Sequence, residues 1–140
     1  MRAHKVSAIL CLVLVFALLA GCTAAKGSVK VKQGKDLTKT VDMTQQTTSH
    51  VQGDAGDAAV DGEGILVSDV LLAAGIESSW IGNVTVQARD KSTAEVTGTE
   101  LNMADKAYLM AQEDGSWDLA VMGDEGFILK DVVFLHAENI

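Results

Sequence analysis

Cysteine, aromatic residues and proline are scarce in this sequence. Its 140 residues include two Cys, no Pro and only 4% Phe, Trp and Tyr. Two cysteines are too few for a disulfide framework or a four-cysteine zinc site. The 11 basic residues are outnumbered by 19 acidic ones, which argues against a nucleic-acid partner, since neutralising phosphates needs a basic face. A hydrophobic content of 48% excludes a disordered chain, and the length fits one domain with or without a tail.

Common catalytic and nucleotide-binding motifs are also missing. No Gly-x-Ser-x-Gly segment is present to form the nucleophile elbow of a hydrolase. No Gly-x-Gly-x-x-Gly segment follows a strand and opens a helix, and no Walker-type phosphate loop occurs. The residues alone favour a protein that is not an enzyme, without deciding the question.

The first 22 residues have the organisation of a secretion signal. Arg2 and Lys5 form a positive head, and residues 6–21 carry no charge. This apolar run is shorter than the roughly 20 residues that span a bilayer and is typical of the core of a signal peptide. It ends in Leu19-Ala20-Gly21-Cys22, which resembles the lipobox of bacterial lipoproteins.

The lipobox resemblance implies that residues 1–21 are a signal peptide cut off immediately before Cys22. The Cys22 thiol would carry a diacylglycerol, and a fatty acid such as palmitate would often be added to the new amino terminus. Two or more chains anchor a protein stably, so we expect the mature protein on the extracytoplasmic face of a bacterial cell membrane. The alternative, an uncleaved membrane anchor, leaves the position of the cysteine unexplained.

Charge is unevenly distributed after the predicted cleavage point. Residues 23–39 hold five lysines and one aspartate, whereas residues 40–140 hold four basic residues against 18 acidic ones. We therefore predict a lysine-rich tether over residues 22–40 and a folded domain over residues 41–140. The lysines either attract the tether to an anionic membrane surface or belong to an ordinary solvated stalk, and the sequence leaves both open.

Apolar periodicity predicts an α+β fold that is mostly β sheet with one or two short helices. A helix is predicted over residues 69–74, capped by Ser68 and stopped by Gly75. Residues 53–64, rich in Gly and Asp, are predicted to form a loop. Strands are predicted by alternation or by apolar runs over residues 29–32, 40–44, 83–89, 93–97, 117–122 and 127–137, and residues 106–112 are either a further strand or a buried apolar run.

Four acidic residues of the glycine-rich segment are candidate calcium ligands, since calcium prefers several hard oxygen ligands on a flexible turn. Their spacing does not match an EF-hand loop, so a solvated surface segment is the favoured interpretation and no metal ligand is assigned. These residues are Asp54, Asp57, Asp61 and Glu63.

Histidines and large aromatic residues are the remaining candidates for a site. His50 and His136 could bind metal or move protons as a pair, but no pattern brings them together, and strand histidines without such a role are favoured. Trp80, Tyr108 and Trp117 could line a ligand pocket. In a chain so poor in aromatics, we expect them to anchor the core instead.

Residues 62–138 resemble the sulfite-oxidase-type molybdopterin-binding domain. The glycine, apolar pair and capped helix of that family match residues 64–76, and its following strand matches residues 84–90. Its next strand and turn match residues 107–111 with Asp114-Gly115, and its closing segment matches residues 126–133. The resemblance implies a truncated version of this fold.

The chain departs from that family at the cofactor. The family binds molybdenum through a cysteine thiolate, whereas the only cysteine outside the signal peptide is Cys22. Lys91-Ser92 replaces the family's Gly-Tyr, and basic residues that would grip a pterin phosphate are scarce. We therefore expect no catalytic residue, no cofactor and a non-catalytic module that binds a ligand or an envelope protein. The alternatives are a molybdopterin-dependent oxidoreductase subunit and a structural envelope lipoprotein without a small ligand.

Overall fold

The structure is a computed structural model that describes residues 27–140. The predicted signal peptide and the predicted lipidation site Cys22 lie outside the described residues. Within the described part, no helix is both long and apolar enough to cross a bilayer. The elements in chain order are β1 (Ser28–Gln33), β2 (Lys39–Asp42), β3 (Ser49–Ala55), β4 (Ala58–Leu66), α1 (Val67–Ala73), β5 (Ile81–Ala88), β6 (Thr93–Thr97), α2 (Gly98–Leu101), β7 (Ala107–Ala111), β8 (Trp117–Val121), β9 (Phe127–Leu129) and β10 (Val132–Asn139), with 3₁₀ turns at Met43–Gln45 and Ser78–Trp80.

These strands form two five-stranded sheets. The first sheet has the order β2-β1-β10-β5-β6, and the second has the order β3-β4-β7-β8-β9. All pairings are antiparallel except that of β1 with β10, which is parallel and sets Val31 beside Leu135. The prediction of a mostly β fold with one or two short helices is thus confirmed.

The main core lies between the two sheets. Strand alternation points one set of side chains from each sheet into a shared apolar cluster, and α1 adds Val70 and Leu71 to it. The fully buried members contributed by the sheets include Val29, Val31, Val84, Val86, Leu109, Leu119 and Leu135. The molecule is therefore a two-layer sandwich in the sense that both sheets share one core.

A second, smaller core covers the other face of the second sheet. The β3–β4 hairpin is long and pairs with β7 only through Gly64 to Leu66. Its tip meets the end of β8, where the Gly56 N–H donates to the Gly123 carbonyl at 2.8 Å and the Gly123 N–H donates to the Asp54 carbonyl at 2.9 Å. The side chains enclosed in this way are Val51, Ala55, Val60, Tyr108, Met110 and Ala120.

Several predicted elements match the structure closely. The predicted pair at residues 83–89 and 93–97 is the β5–β6 hairpin, with Val84, Val86 and Ala88 buried on one face. The predicted strands at residues 106–112 and 117–122 are β7 and β8, which pair across the turn between them.

The cap predicted for the first helix is wrong, whereas its end is right. Ser68 lies inside α1, and Leu66 occupies the N-cap position without a side-chain cap hydrogen bond. At the other end, Gly75 has φ +81°. The Gly75 N–H donates to the Leu72 carbonyl and the Ile76 N–H to the Leu71 carbonyl, which is the Schellman arrangement.

A tether was predicted over residues 22–40. This prediction is wrong for those described residues of the range that form strands of the first sheet. Val29 and Val31 are buried in the core, and β1 lies between β2 and β10 in the first sheet. The lysines at positions 30 and 32 alternate with these valines, so they occupy the outer face of a strand. Alternation predicted this strand, but the charge pattern obscured its membership of the domain.

Two other predictions of local structure are corrected. Residues 53–64 are not a loop, because they form most of the β3–β4 hairpin. The side chains of Ala55 and Val60 are buried in the second core, which stabilises these strands. The single strand predicted over residues 127–137 is two strands in different sheets. The chain crosses between the sheets at Lys130 and at Asp131, which has φ +58°.

Candidate functional site

The four carboxylates considered as calcium ligands, for which a solvated surface segment was favoured, do not converge. They spread along the β3–β4 hairpin, and Asp57 lies at its turn. On one exposed face of the hairpin, the Nε2 of His50 lies 3.0 Å from Asp61 Oδ1, and its Nδ1 lies 3.9 Å from Glu63 Oε1. Among residues 27–140, no group of three or more His, Cys, Asp or Glu side chains is arranged to hold a metal ion.

The two histidines considered as a pair belong to different sheets. His50 is on β3 of the second sheet, whereas His136 is on β10 of the first. The Nε2 of His136 lies 3.0 Å from the Gly34 carbonyl oxygen and 3.6 Å from Glu138 Oε1. The structure therefore does not bring the two rings into one site.

The three large aromatic residues divide into two core residues and one surface residue. Trp117 and Tyr108 are 8% and 6% exposed, as predicted for core anchors. Burial, together with the hydrogen bond from the Tyr108 hydroxyl to Asp105, raises the pKa of Tyr108 to about 12. The prediction is wrong for Trp80, which is 68% exposed.

Trp80 lies at the edge of a cleft of about 660 Å³, a size typical of sites for small ligands. The cleft is at the carboxyl ends of β1 and β10, where they meet the connection between α1 and β5. Its lining residues are Gln33, Gly75, Glu77, Trp80, Asn139 and Ile140.

The polar side of this cleft is an amide pair. Gln33 and Asn139 are the last residues of β1 and β10, and the parallel pairing of these strands brings both to the same end of the sheet. The Gln33 Nε2 donates to Asn139 Oδ1 at 2.9 Å. Glu77, whose side chain is exposed, adds a carboxylate from the neighbouring connection.

The backbone around Trp80 is held on both sides. The Trp80 N–H donates to the Glu77 carbonyl at 3.2 Å, and the Trp80 carbonyl accepts from the Ile140 N–H at 3.0 Å. Ile81, the next residue, is buried in the core. The exposed indole therefore stands on a fixed piece of backbone.

Sequence reasoning considered Trp80 as a pocket residue, although it favoured a core position, and it missed the other residues of the cleft. Gln33 and Asn139 are 106 positions apart, and only the pairing of β1 with β10 brings them together. A useful signal was present in the segment Glu77 to Trp80, since a tryptophan that directly follows three polar residues has a sequence environment unusual for a core residue.

A second cleft, of about 550 Å³, is mostly acidic. It lies at the β7–β8 turn and at the crossover between the sheets, and its lining residues are Gln112, Glu113, Asp114, Ser116, Asp118, Lys130 and Asp131. Asp118 Oδ1 accepts from the Asp131 N–H at 2.9 Å, and Asp131 Oδ2 accepts from Arg89 Nε at 3.0 Å. These carboxylates hold the crossover in place.

The described residues do not fit a molybdopterin. They include no cysteine to bind the metal. Of the four basic residues in the segment resembling that family, Arg89 is paired with Asp131, and Lys130 lies in the acidic cleft. The carboxylates of that cleft would repel the anionic phosphate of a pterin, so these residues are not suited to hold the cofactor.

The chain matches no model of a known protein family, and no curated protein resembles it significantly.

Proposed function

We propose that this chain is a lipid-anchored lipoprotein of the bacterial envelope whose folded body is a binding module without catalysis of its own. The anchor is proposed from the charged head, the apolar run and the lipobox-like Leu19 to Cys22 segment. Binding is proposed from one observation, the cleft that exposed Trp80 lines together with the amides of Gln33 and Asn139.

The exposure of Trp80 supports binding because an indole loses the benefit of burial when it stands in water. Aromatic residues are enriched in the centres of binding interfaces, where a partner covers them. Trp80 is fixed by its backbone and lies beside polar groups, which is the combination that gives a pocket both affinity and orientation.

The anchor is tested by labelling the full chain in a bacterial host with a fatty-acid analogue. We expect Cys22→Ala to abolish labelling and membrane association. Cys11→Ala is the matched control and should label normally, because Cys11 leaves with the signal peptide. Persistent labelling of Cys22→Ala would show that the proposed anchor is wrong.

Binding is tested in cells by placing a photo-crosslinking amino acid at position 80 of the full chain. We expect light-dependent adducts at position 80. The control is position 103, where the Met side chain is 48% exposed but does not line the cleft. Equal adducts at both positions, or none at position 80, would contradict a binding role for the cleft.

We propose that residues 62–138 are related in fold to the sulfite-oxidase-type domain and lack the chemistry of that domain. We expect the full chain, purified from a host that makes molybdopterin, to contain neither molybdenum nor pterin absorbance. Stoichiometric metal would replace the binding module with the oxidoreductase alternative.

A further inference from the structure

We propose that the Trp80 cleft binds a sugar ring of an uncharged oligosaccharide. This inference rests on the proposed binding function and names the class of ligand for the same cleft. It is carried by the placement of one exposed indole, the hydrogen-bonded amide pair of Gln33 and Asn139, and one carboxylate around a single open space.

The indole of Trp80 supplies the apolar surface. A sugar ring has a face of C–H groups and an edge of hydroxyl groups, so it can cover an aromatic ring while its hydroxyls remain hydrogen-bonded. Trp80 is 68% exposed and its backbone is fixed on both sides by hydrogen bonds to Glu77 and Ile140. Stacking of a sugar on Trp80 therefore removes apolar surface from water. It costs little conformational entropy in the backbone, because that backbone is already fixed before the ligand binds.

The amide pair supplies the complementary polar groups. In the hydrogen bond from Gln33 to Asn139, the Gln33 Oε1 acceptor and the Asn139 Nδ2 donor stay unused within residues 27–140. A donor and an acceptor on neighbouring side chains match two adjacent hydroxyls, each of which donates and accepts. The carboxylate of Glu77 adds a strong acceptor for a third hydroxyl.

The lining argues against other small ligands. Glu77 is the charged side chain among the lining residues, so the lining itself offers an anion no cationic partner. A purely apolar ligand would leave the Gln33 and Asn139 amides without partners, at a cost for each. An organic cation could face Trp80 and pair with Glu77, but it would not use the amide pair.

The test uses the full lipidated chain purified in a polyoxyethylene detergent, because detergents with sugar headgroups would compete for the cleft. Cellotetraose, maltotetraose and tetra-N-acetylchitotetraose are titrated by calorimetry, and iodide quenching of tryptophan fluorescence is measured in parallel. We expect at least one of these sugars to bind and to protect Trp80 from iodide. Trp117 is buried and supplies a constant background.

Variants assign the binding to the cleft. We expect Trp80→Ala to lower the affinity for the sugar by about tenfold or more and Trp80→Phe to lower it less. Asn139→Ala should also lower the affinity, without changing the exposure of Trp80. Met103→Ala, which truncates an exposed apolar side chain outside the cleft, should bind as the unchanged protein does.

Three results would overturn the inference. The first is that none of the three sugars binds. The second is that Trp80→Ala binds a sugar with the same affinity as the unchanged protein. The third is that choline binds in place of a sugar and that Glu77→Gln abolishes the binding of choline. If crosslinks at position 80 persist while no sugar binds, the binding module stands and only the assignment of its ligand fails. If crosslinks are also absent, the proposed function fails with it.

Discussion

Tyr108 is the single tyrosine of the chain, and its phenol is held in the second core by a hydrogen bond to Asp105. Burial raises its pKa from 10.0 to about 12. A raised pKa means that the folded state keeps the proton longer than the unfolded state does. The resulting stability is fully present below pH 10 and is lost as the pH rises towards 12.

We expect the tyrosinate absorbance of the folded protein to appear well above pH 10, and that of the urea-unfolded protein to appear near pH 10. The free energy of unfolding should fall across this range, on the order of 1 to 2 kcal/mol after the screening of the phenolate by solvent is allowed for. Tyr108→Phe should lack this part of the alkaline dependence. A midpoint near 10 in the folded protein would contradict the burial of the phenol.

Gly126, between β8 and β9, has no room for a side chain. A Cβ built there would overlap the carbonyl oxygen of Val121 and lie 2.9 Å from the Gly123 carbonyl oxygen. We expect Gly126→Ala to lower the free energy of unfolding by about 3 kcal/mol, because backbone atoms must move to admit the methyl group.

Gly62→Ala is the matched control for Gly126→Ala. A Cβ at Gly62 would lie 3.8 Å from the Met110 methyl carbon, an ordinary contact. Its effect should stay within about 0.5 kcal/mol. Urea denaturation of the two variants compares them directly, and equal destabilisation would show that the tight approach at Gly126 is wrong.

At the scale of elements, the β3–β4 hairpin depends on the closure of its tip. Gly56 has φ +61°, and a Cβ there would overlap the Gly126 carbonyl oxygen. We expect Gly56→Ala to open the tip, so that hydrogen exchange of the Gly123 amide and of the outer hairpin accelerates. The amides of β5 and β10 should stay protected, since they belong to the other sheet.

Gly34→Ala separates backbone strain from the clash at the hairpin tip. Gly34 has a similar φ of +53°, but no atom lies within 4 Å of the position of its Cβ. The strain of a left-handed alanine, roughly 1 kcal/mol, is therefore common to both variants. An equal loss of unfolding free energy in Gly34→Ala and Gly56→Ala would mean that strain alone, and not loss of the tip contact, explains the result.

Strands that bury one face in the main core were predictable from the sequence. Elements that depend on the second core, or that change from one sheet to the other, were not. Val84, Val86 and Ala88 alternate on β5 and gave its bounds closely. The β3–β4 hairpin was missed because its Gly and Asp content resembles a loop, and its apolar residues bury only against a second core formed by distant strands. The chain changes sheets at the charged pair Lys130-Asp131, which interrupts the apolar residues that were predicted to form a single strand.

A capping signal in the sequence was also overlooked. Thr97 and Glu100 form a capping box, in which the Glu100 N–H donates to Thr97 Oγ1 and the Thr97 N–H donates to Glu100 Oε1, both at 3.1 Å. This spacing is a recognised start of a helix. It predicts α2, the second short helix, directly from Thr97 onward.

At the scale of the molecule, the sequence predicted the mostly β class but not the arrangement of strands. Pairing of β1 with β10 joins residues about a hundred positions apart, and periodicity carries no information about partners. The cleft follows from this pairing, so Trp80 could be identified as a candidate while Gln33 and Asn139 could not.

Charge repulsion is a property of the whole molecule, because residues 40–140 carry far more acidic than basic side chains. We expect the melting temperature at pH 7 to rise as sodium chloride is increased to about 0.15 M, since screening reduces repulsion among carboxylates. The rise should shrink as the pH approaches about 4, where carboxylates take up protons. A melting temperature independent of salt at pH 7 would contradict this account.

The parallel pairing of β1 and β10 also determines how the molecule would carry a mechanical load. The proposed lipid anchor precedes Ser28 at one end of β1, and the cleft lies beyond Gln33 at the other end. A pull between membrane and bound ligand would therefore run along β1. Its hydrogen bonds to β10 and β2 would be loaded together in shear, and not opened one at a time as in unzipping.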